Sequence, residues 1–128
     1  MARILLLEDE PWLAELYRQL LGAQHEVVWL RDPYLAMDSI DANRPDIIVL
    51  DILLPWASGV QLLHELAGYG DTADIPKVLF SAALPAELSS EALHAYGVVA
   101  ALDKTTAKPR QVVQTINDIL TAHANITN

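Results

Sequence analysis

Five short apolar runs, separated by segments whose apolar residues recur at helical spacing, constrain the fold of this chain more than any other feature. The runs are residues 4–7, 27–30, 47–50, 78–80 and 98–102. Each is too short for a helix and almost continuously hydrophobic, which is the pattern of strands covered on both faces. Between them lie helical patterns: Leu13, Leu16, Tyr17 and Leu20; Leu35 with Ile40; Val60, Leu63 and Ala67 beside Leu62 and Leu66; Leu84, Leu88 and Leu93; and Val112, Val113, Ile116, Ile119 and Leu120. Pro11, Pro85 and Pro109 stand where a first helical turn tolerates proline, and Gly22, Gly68 and Gly97 follow helix ends. Strict alternation of this kind predicts five buried strands in a parallel α/β sheet, with helices on both faces and right-handed crossovers.

A chain of 128 residues holds one domain with a real core and is too short for two ordinary ones. The expected domain covers residues 1–122, with residues 123–128 as a frayed tail, and residues 68–76 read as the most flexible interior loop. The formal net charge of -9, with 17 acids against 8 Lys and Arg, argues against a nucleic-acid surface, which needs clustered positive charge. Zero cysteines exclude disulfides, thiolate metal sites and a Cys nucleophile. No apolar stretch approaches the length of a membrane span and no secretion signal opens the chain, so a cytoplasmic protein with no membrane partner is expected.

In an open parallel sheet, ligands bind beyond the carboxyl ends of the strands. Glu8, Asp9 and Glu10 end the first strand, Asp51 the third, Ser81 the fourth, and Asp103 and Lys104 the fifth. If the first and third strands are neighbours, Glu8, Asp9 and Asp51 converge, and each close pair of carboxylates repels by about 4 kcal/mol at roughly 4 Å and an effective dielectric near 20. Protonation or a bound cation must relieve that repulsion. Oxygen-only ligands, with no His or Cys among them, suit a hard ion, Mg²⁺ above all. A carboxylate, a divalent metal, a lysine and a hydroxyl around one point are what phosphoryl transfer to an aspartate requires: Asp51 attacks, the cations balance the charge, and Ser81 hydrogen-bonds the acyl phosphate. His25, His64, His94 and His123 show no ligand spacing, and Glu10 reads as a first-turn acid favoured by the helix dipole.

Over residues 3–120 the chain resembles the receiver domain of two-component response regulators, the CheY-like superfamily. "ILLLEDE" is similar to that family's first strand and acid pair. "DIIVLDILLPWASG" resembles its phospho-acceptor strand and loop, with Pro four and Gly eight residues after Asp51. "VLFSAA" matches its switch strand, and "GVVAALDK" has its lysine seven residues after a glycine. The combination in one order is far more specific than any single piece.

The resemblance implies a single (βα)5 doubly wound, flavodoxin-like domain with strand order 2-1-3-4-5. It implies Asp51 as the phosphorylation site, Asp9 as a direct Mg²⁺ ligand, Glu8 acting largely through water, and the Leu53 backbone carbonyl as a third protein ligand. Ser81 would bind the phosphoryl group and Lys104 would pair with it. The phosphodonor would be a sensor histidine kinase or phosphotransfer protein. The surface of the fourth helix, fifth strand and fifth helix, about residues 82–120, would engage a downstream protein, an effector domain or a second copy. Such a domain phosphorylates itself and is not a turnover enzyme.

The chain departs from the family pattern in three ways. Thr105 follows Lys104 where the family usually has proline, with Lys108-Pro109 too late to substitute. Ala101 stands where many receivers carry a fifth-strand aromatic, leaving Tyr96 as the nearby candidate for that role. Leu53 and Ala83, two residues after Asp51 and Ser81, cannot orient a hydrolytic water, which implies slow self-dephosphorylation. The alternative function, which Thr105 and Ala101 make thinkable and the intact metal triad argues against, is a phosphorylation-independent docking or dimerisation module. A flavodoxin-like cofactor binder fits less well, because Glu8, Asp9 and Glu10 would repel a cofactor phosphate. An aspartyl phosphatase would want an acid at position 53, where Leu53 stands.

Overall fold

The computed structural model describes residues 2–54, 57–84 and 88–127, with side chains at all of these except 53, 54, 57–59 and 125–127. Strands β1 (Arg3–Leu7), β2 (Glu26–Leu30), β3 (Ile47–Leu50), β4 (Lys77–Ser81) and β5 (Val98–Asp103) form one parallel sheet in the order β2-β1-β3-β4-β5. They alternate with helices α1 (Pro11–Gly22), α2 (Ala36–Ala42), α3 (Gly59–Ala67), α4 (Ser90–Ala95) and α5 (Pro109–Thr127). A two-residue antiparallel pair, Leu53–Leu54 with Ala57–Ser58, follows β3.

Successive strand residues point to opposite faces, so each inner strand feeds two cores. Ile4, Leu6, Ile47, Val49, Val78 and Phe80 pack with Leu13, Tyr17 and Leu21 of α1 and with Val112 and Ile116 of α5. Leu5, Leu7, Ile48, Leu50 and Leu79 pack on the other face with Ile40 of α2, Leu62, Leu63 and Leu66 of α3, and Leu88. Full burial of each such side chain contributes about 1.5–3 kcal/mol, which is why β1, β3 and β4 are apolar at nearly every position.

The expectation of five buried strands holds only for these three. β5 alternates half-buried and exposed residues, and β2 is half-buried beyond Glu26, because each lies at a sheet edge. Other expectations shift by a residue or a turn. In α1 the core position is Leu21, while Leu20 is exposed, and Gly22 is the last helical residue. α2 buries Ala36 and Ile40, one helical turn apart, whereas Leu35 is exposed in the preceding turn of 3-10 helix, Pro33–Leu35, capped by the Asp32 carboxylate. Leu84 lies ahead of α4, which starts after Ser89 accepts a bond from the Ala92 amide; Pro85 and Trp56 lie outside the described residues. α5 begins at Pro109 and continues as helix through Thr127, past the expected boundary at residue 122. Gly97 has φ +80, so it closes α4 in the left-handed conformation that glycine favours.

Residues 68–76 are more tied down than their composition suggests. The buried Thr72 hydroxyl lies 2.6 Å from the Leu66 carbonyl, and the Ala73 amide donates to Tyr69 at 2.9 Å. Beneath this loop the Lys77 side chain is fully buried, its ammonium donating to the carbonyls of Thr72 at 3.3 Å and Ala73 at 3.2 Å.

Candidate functional site

The sheet register brings the strand ends together. Leu7 is opposite Leu50, so the next residues, Glu8 and Asp51, abut, and the Asp51 amide donates to the Leu7 carbonyl at 3.2 Å. Ser81 is opposite Asp103, and the Lys104 amide donates to the Ser81 carbonyl at 3.0 Å. Four strands thereby deliver Glu8, Asp9, Asp51, Ser81 and Lys104 to one point.

Glu8, Asp51 and Ser81 are buried there, and Asp9 is half-buried. Carboxylate oxygens of Glu8, Asp9 and Asp51 all lie within 4.8 Å of one another. The Lys104 ammonium sits among them, 2.6 Å from Asp51 Oδ2 and 2.8 Å from Glu8 Oε1. The Ser81 hydroxyl is 3.0 Å from Asp51 Oδ1 and 3.1 Å from the Ala83 carbonyl. Having one hydrogen, it donates to one of these at a time. Both Asp51 oxygens therefore face a donor on a different strand.

Burial pushes the Glu8 carboxyl up from its ordinary value, and the Asp51 charge adds to that, against the hydrogen bonds from Lys104 and the Glu10 amide. For Lys104, burial opposes the charge, but its hydrogen bonds to Asp51 and Glu8 and their negative charges outweigh it and raise the ammonium's pKa. One ammonium cannot neutralise three carboxylates. The cluster therefore retains a negative excess whose all-oxygen donor set fits a hard divalent cation. The Leu53 backbone, two residues beyond Asp51, lies in the short strand paired with Ser58.

Thr105, which replaces the family's usual proline, has a visible part in the lysine loop. Its amide donates to Asp103 Oδ1 at 2.8 Å and its hydroxyl at 2.6 Å, and the Asp103 carbonyl accepts from Thr106 and Ala107. Those Thr105 bonds hold the exposed Asp103 carboxyl below its ordinary pKa. A side-chain turn thus shapes the segment that proline would otherwise constrain. Tyr96 is not beside Ser81: it caps α4 at the far end of β5, edge-on to His64 with ring centroids 6.3 Å apart. Ala101 instead borders an open cavity of about 330 Å³ between residues 81–84 and 101–103.

Two contacts were not legible in the sequence. The Trp29 indole N–H donates to the Glu8 carbonyl at 2.8 Å, and the Glu10 amide donates to Glu8 Oε2 at 3.0 Å. No pattern in β2 marks the first, since residues 27–30 are continuously apolar. Glu10, read as a first-turn acid, occupies the cap position of α1 without a side-chain cap bond.

Comparison with known proteins agrees with this arrangement. Residues 4–117 match the family model "Response regulator receiver domain". Response regulator MprA of Mycobacterium tuberculosis is 33% identical over 81 residues, 62% of this chain and 34% of that protein. The chain thus spans about a third of the length of this curated relative. The Mn²⁺-bound form of response regulator Rcp1 superposes with a TM-score of 0.76 at 27% identity, covering 91% of each chain. The signal receiver domain of a LuxO repressor protein from Vibrio parahaemolyticus shares the fold, with a TM-score of 0.85 at 23% identity over 98% of this chain and 95% of that one. Among the described residues no helix is long and apolar enough to cross a membrane. With its sheet order, its acidic strand ends and a family match over most of its length, the chain belongs to the receiver domains of two-component response regulators.

Proposed function

We propose that Asp51 accepts a phosphoryl group from a phosphohistidine on a sensor histidine kinase or phosphotransfer protein, in a domain that spans residues 1–122 and works in the cytoplasm. A carboxylate oxygen of Asp51 attacks phosphorus as the P–N bond breaks. The bonding pair stays on the donor imidazole, which takes up a proton, and the product is an aspartyl phosphate. The observation that carries this reading is that Asp51, itself 4% exposed, meets Lys104 at one oxygen and Ser81 at the other.

Glu8, Asp9, Asp51 and the Leu53 carbonyl would hold Mg²⁺, which when bound supplies charge neutralisation for the phosphoryl oxygens. Lys104 already bridges Asp51 and Glu8, so it needs only a small displacement to follow negative charge onto a phosphoryl oxygen. Ser81, released from the Asp51 carboxylate, donates to another of those oxygens. The rearranged β4 and β5 ends then change the surface of α4, β5 and α5 for a downstream protein, an effector domain or a second copy. The phosphoryl group stays on Asp51 until slow hydrolysis removes it, so the domain acts as a switch.

Intact mass after incubation with acetyl phosphate tests this. One added phosphoryl group is expected in the wild type with Mg²⁺, and none in Asp51→Asn or in the metal-free sample. Modification of Asp51→Asn would overturn the assignment. A folded wild type that neither binds Mg²⁺ nor gains mass would favour the docking module.

A further inference from the structure

Glu8 is held on four sides. Its amide donates to the Leu30 carbonyl at 3.1 Å, its carboxylate accepts from Lys104 and from the Glu10 amide, and its carbonyl accepts from the Trp29 indole at 2.8 Å. The Leu30 and Trp29 bonds come from edge strand β2, which contributes no acid, hydroxyl or lysine to the site. Trp29 is opposite Leu6 in the ladder, and its ring packs in the layer shared with α1 and α5. From that fixed platform the N–H reaches the chain where it leaves β1 and turns toward Pro11.

We propose that Trp29 is a positioning residue for the metal site. By holding the Glu8 carbonyl it sets the turn that aims Glu8 and Asp9 at Asp51. The inference rests on the metal-assisted reading above. Within the turn itself the Glu10 amide bond to Glu8 is joined by no side-chain N-cap bond on α1, and Pro11 offers no amide, so the Glu8 carbonyl depends on Trp29 for its partner. Three carboxylates pressed together repel one another, so without a metal an unrestrained turn relaxes outward. A neutral donor on the backbone opposes that relaxation without occupying a coordination position or adding charge. Partners that orient metal ligands in this way typically affect affinity by about tenfold or more.

The test uses Mn²⁺ as the probe, read by electron paramagnetic resonance of the free ion, with Mg²⁺ as competitor, so no tryptophan signal is needed. Wild type, Trp29→Phe, Trp29→3-benzothienylalanine and Asp9→Asn are compared, with far-UV circular dichroism confirming that each is folded. The benzothienyl side chain keeps the bicyclic shape and lacks the N–H, so it preserves packing where phenylalanine leaves a gap. Both Trp29 variants are expected to bind Mn²⁺ about tenfold more weakly than wild type, and Asp9→Asn to lose binding. A benzothienyl variant within twofold of wild type would overturn the proposal, by assigning any loss in Trp29→Phe to packing. Wild-type protein that takes up no Mn²⁺ would instead remove the metal-assisted reading, and this inference with it.

Discussion

Lys104 Nζ lies 2.6 Å from Asp51 Oδ2, and the lysine side chain is 10% exposed while the aspartate is 5% exposed. At that depth the pair is screened little by solvent, and Glu8 shares the same ammonium at 2.8 Å. Removing the lysine strands two buried carboxylates beside Asp9. We expect Lys104→Met to lose roughly 3–5 kcal/mol of stability in metal-free buffer, the usual cost of breaking a buried pair. Saturating Mg²⁺ should recover part of that loss. Urea denaturation with and without the metal measures both.

Ser81→Ala removes the donor to Asp51 Oδ1 without adding charge or volume. In the proposed reaction that donor passes to a phosphoryl oxygen, and hydrogen bonds to charged groups contribute about 1.5–3 kcal/mol, so phosphorylation by acetyl phosphate should slow by roughly tenfold or more. The Mn²⁺ dissociation constant, set by the carboxylates, should stay near the wild-type value. Parallel rate and affinity measurements separate the two effects.

The life of the aspartyl phosphate provides another check. Neither Leu53 nor Ala83 has a polar side chain to orient an attacking water. Leu53→Asn combined with Ala83→Glu should hasten loss of the phosphoryl group several-fold, as followed by intact mass over time. An unchanged decay rate would show that something else limits hydrolysis.

Lys77 carries a pH dependence remote from the site. Burial pushes its ammonium below the ordinary value of 10.5, with Asp74 opposing and Arg44 adding to the shift. Between the lowered folded value and 10.5 the unfolded chain binds more protons, so stability should rise with pH across that window. Lys77→Met should flatten this slope and be at least as stable near neutrality, since two carbonyls are its only hydrogen-bond partners among the described residues. Denaturation midpoints of the two proteins through the alkaline range up to 10.5 provide the comparison, with Tyr17, whose pKa burial raises, common to both.

Much of the architecture could be read from the residues because inner parallel strands must be apolar on both faces, which marks β1, β3 and β4 directly. The edge strands look alike in composition, so the exposure of Val99 and the half-burial of Val27 and Val28 became visible only with the sheet order. Glu8, Asp9, Asp51, Ser81 and Lys104 stood out because parallel strands all end on one edge, so position along the chain maps onto position in space. The bonds made by Trp29 and Thr105 escaped notice for a different reason. Their contacts depend on side-chain reach and on the neighbouring strand's register, which no periodicity encodes. The suggestion that Tyr96 stands in for the missing aromatic finds no support in its placement, because sequence nearness to Ala101 concealed that Tyr96 caps α4 before β5 begins.

The ladder bond from the Lys104 amide to the Ser81 carbonyl joins the hydroxyl and the ammonium through adjacent backbone. Mechanically, the two groups are yoked: a pull on either is felt by the other. The strand on the outer side of that yoke, β5, has one neighbouring strand and presents every second residue to solvent, with a register irregularity between Lys77 and Val78. Displacing β3 would shear the ladders to two neighbouring strands, whereas displacing β5 disturbs one. The side on which the yoke pulls is therefore the less constrained one, so a shift at the acids, if phosphorylation produces one, would meet less resistance in the outer strand than in the interior.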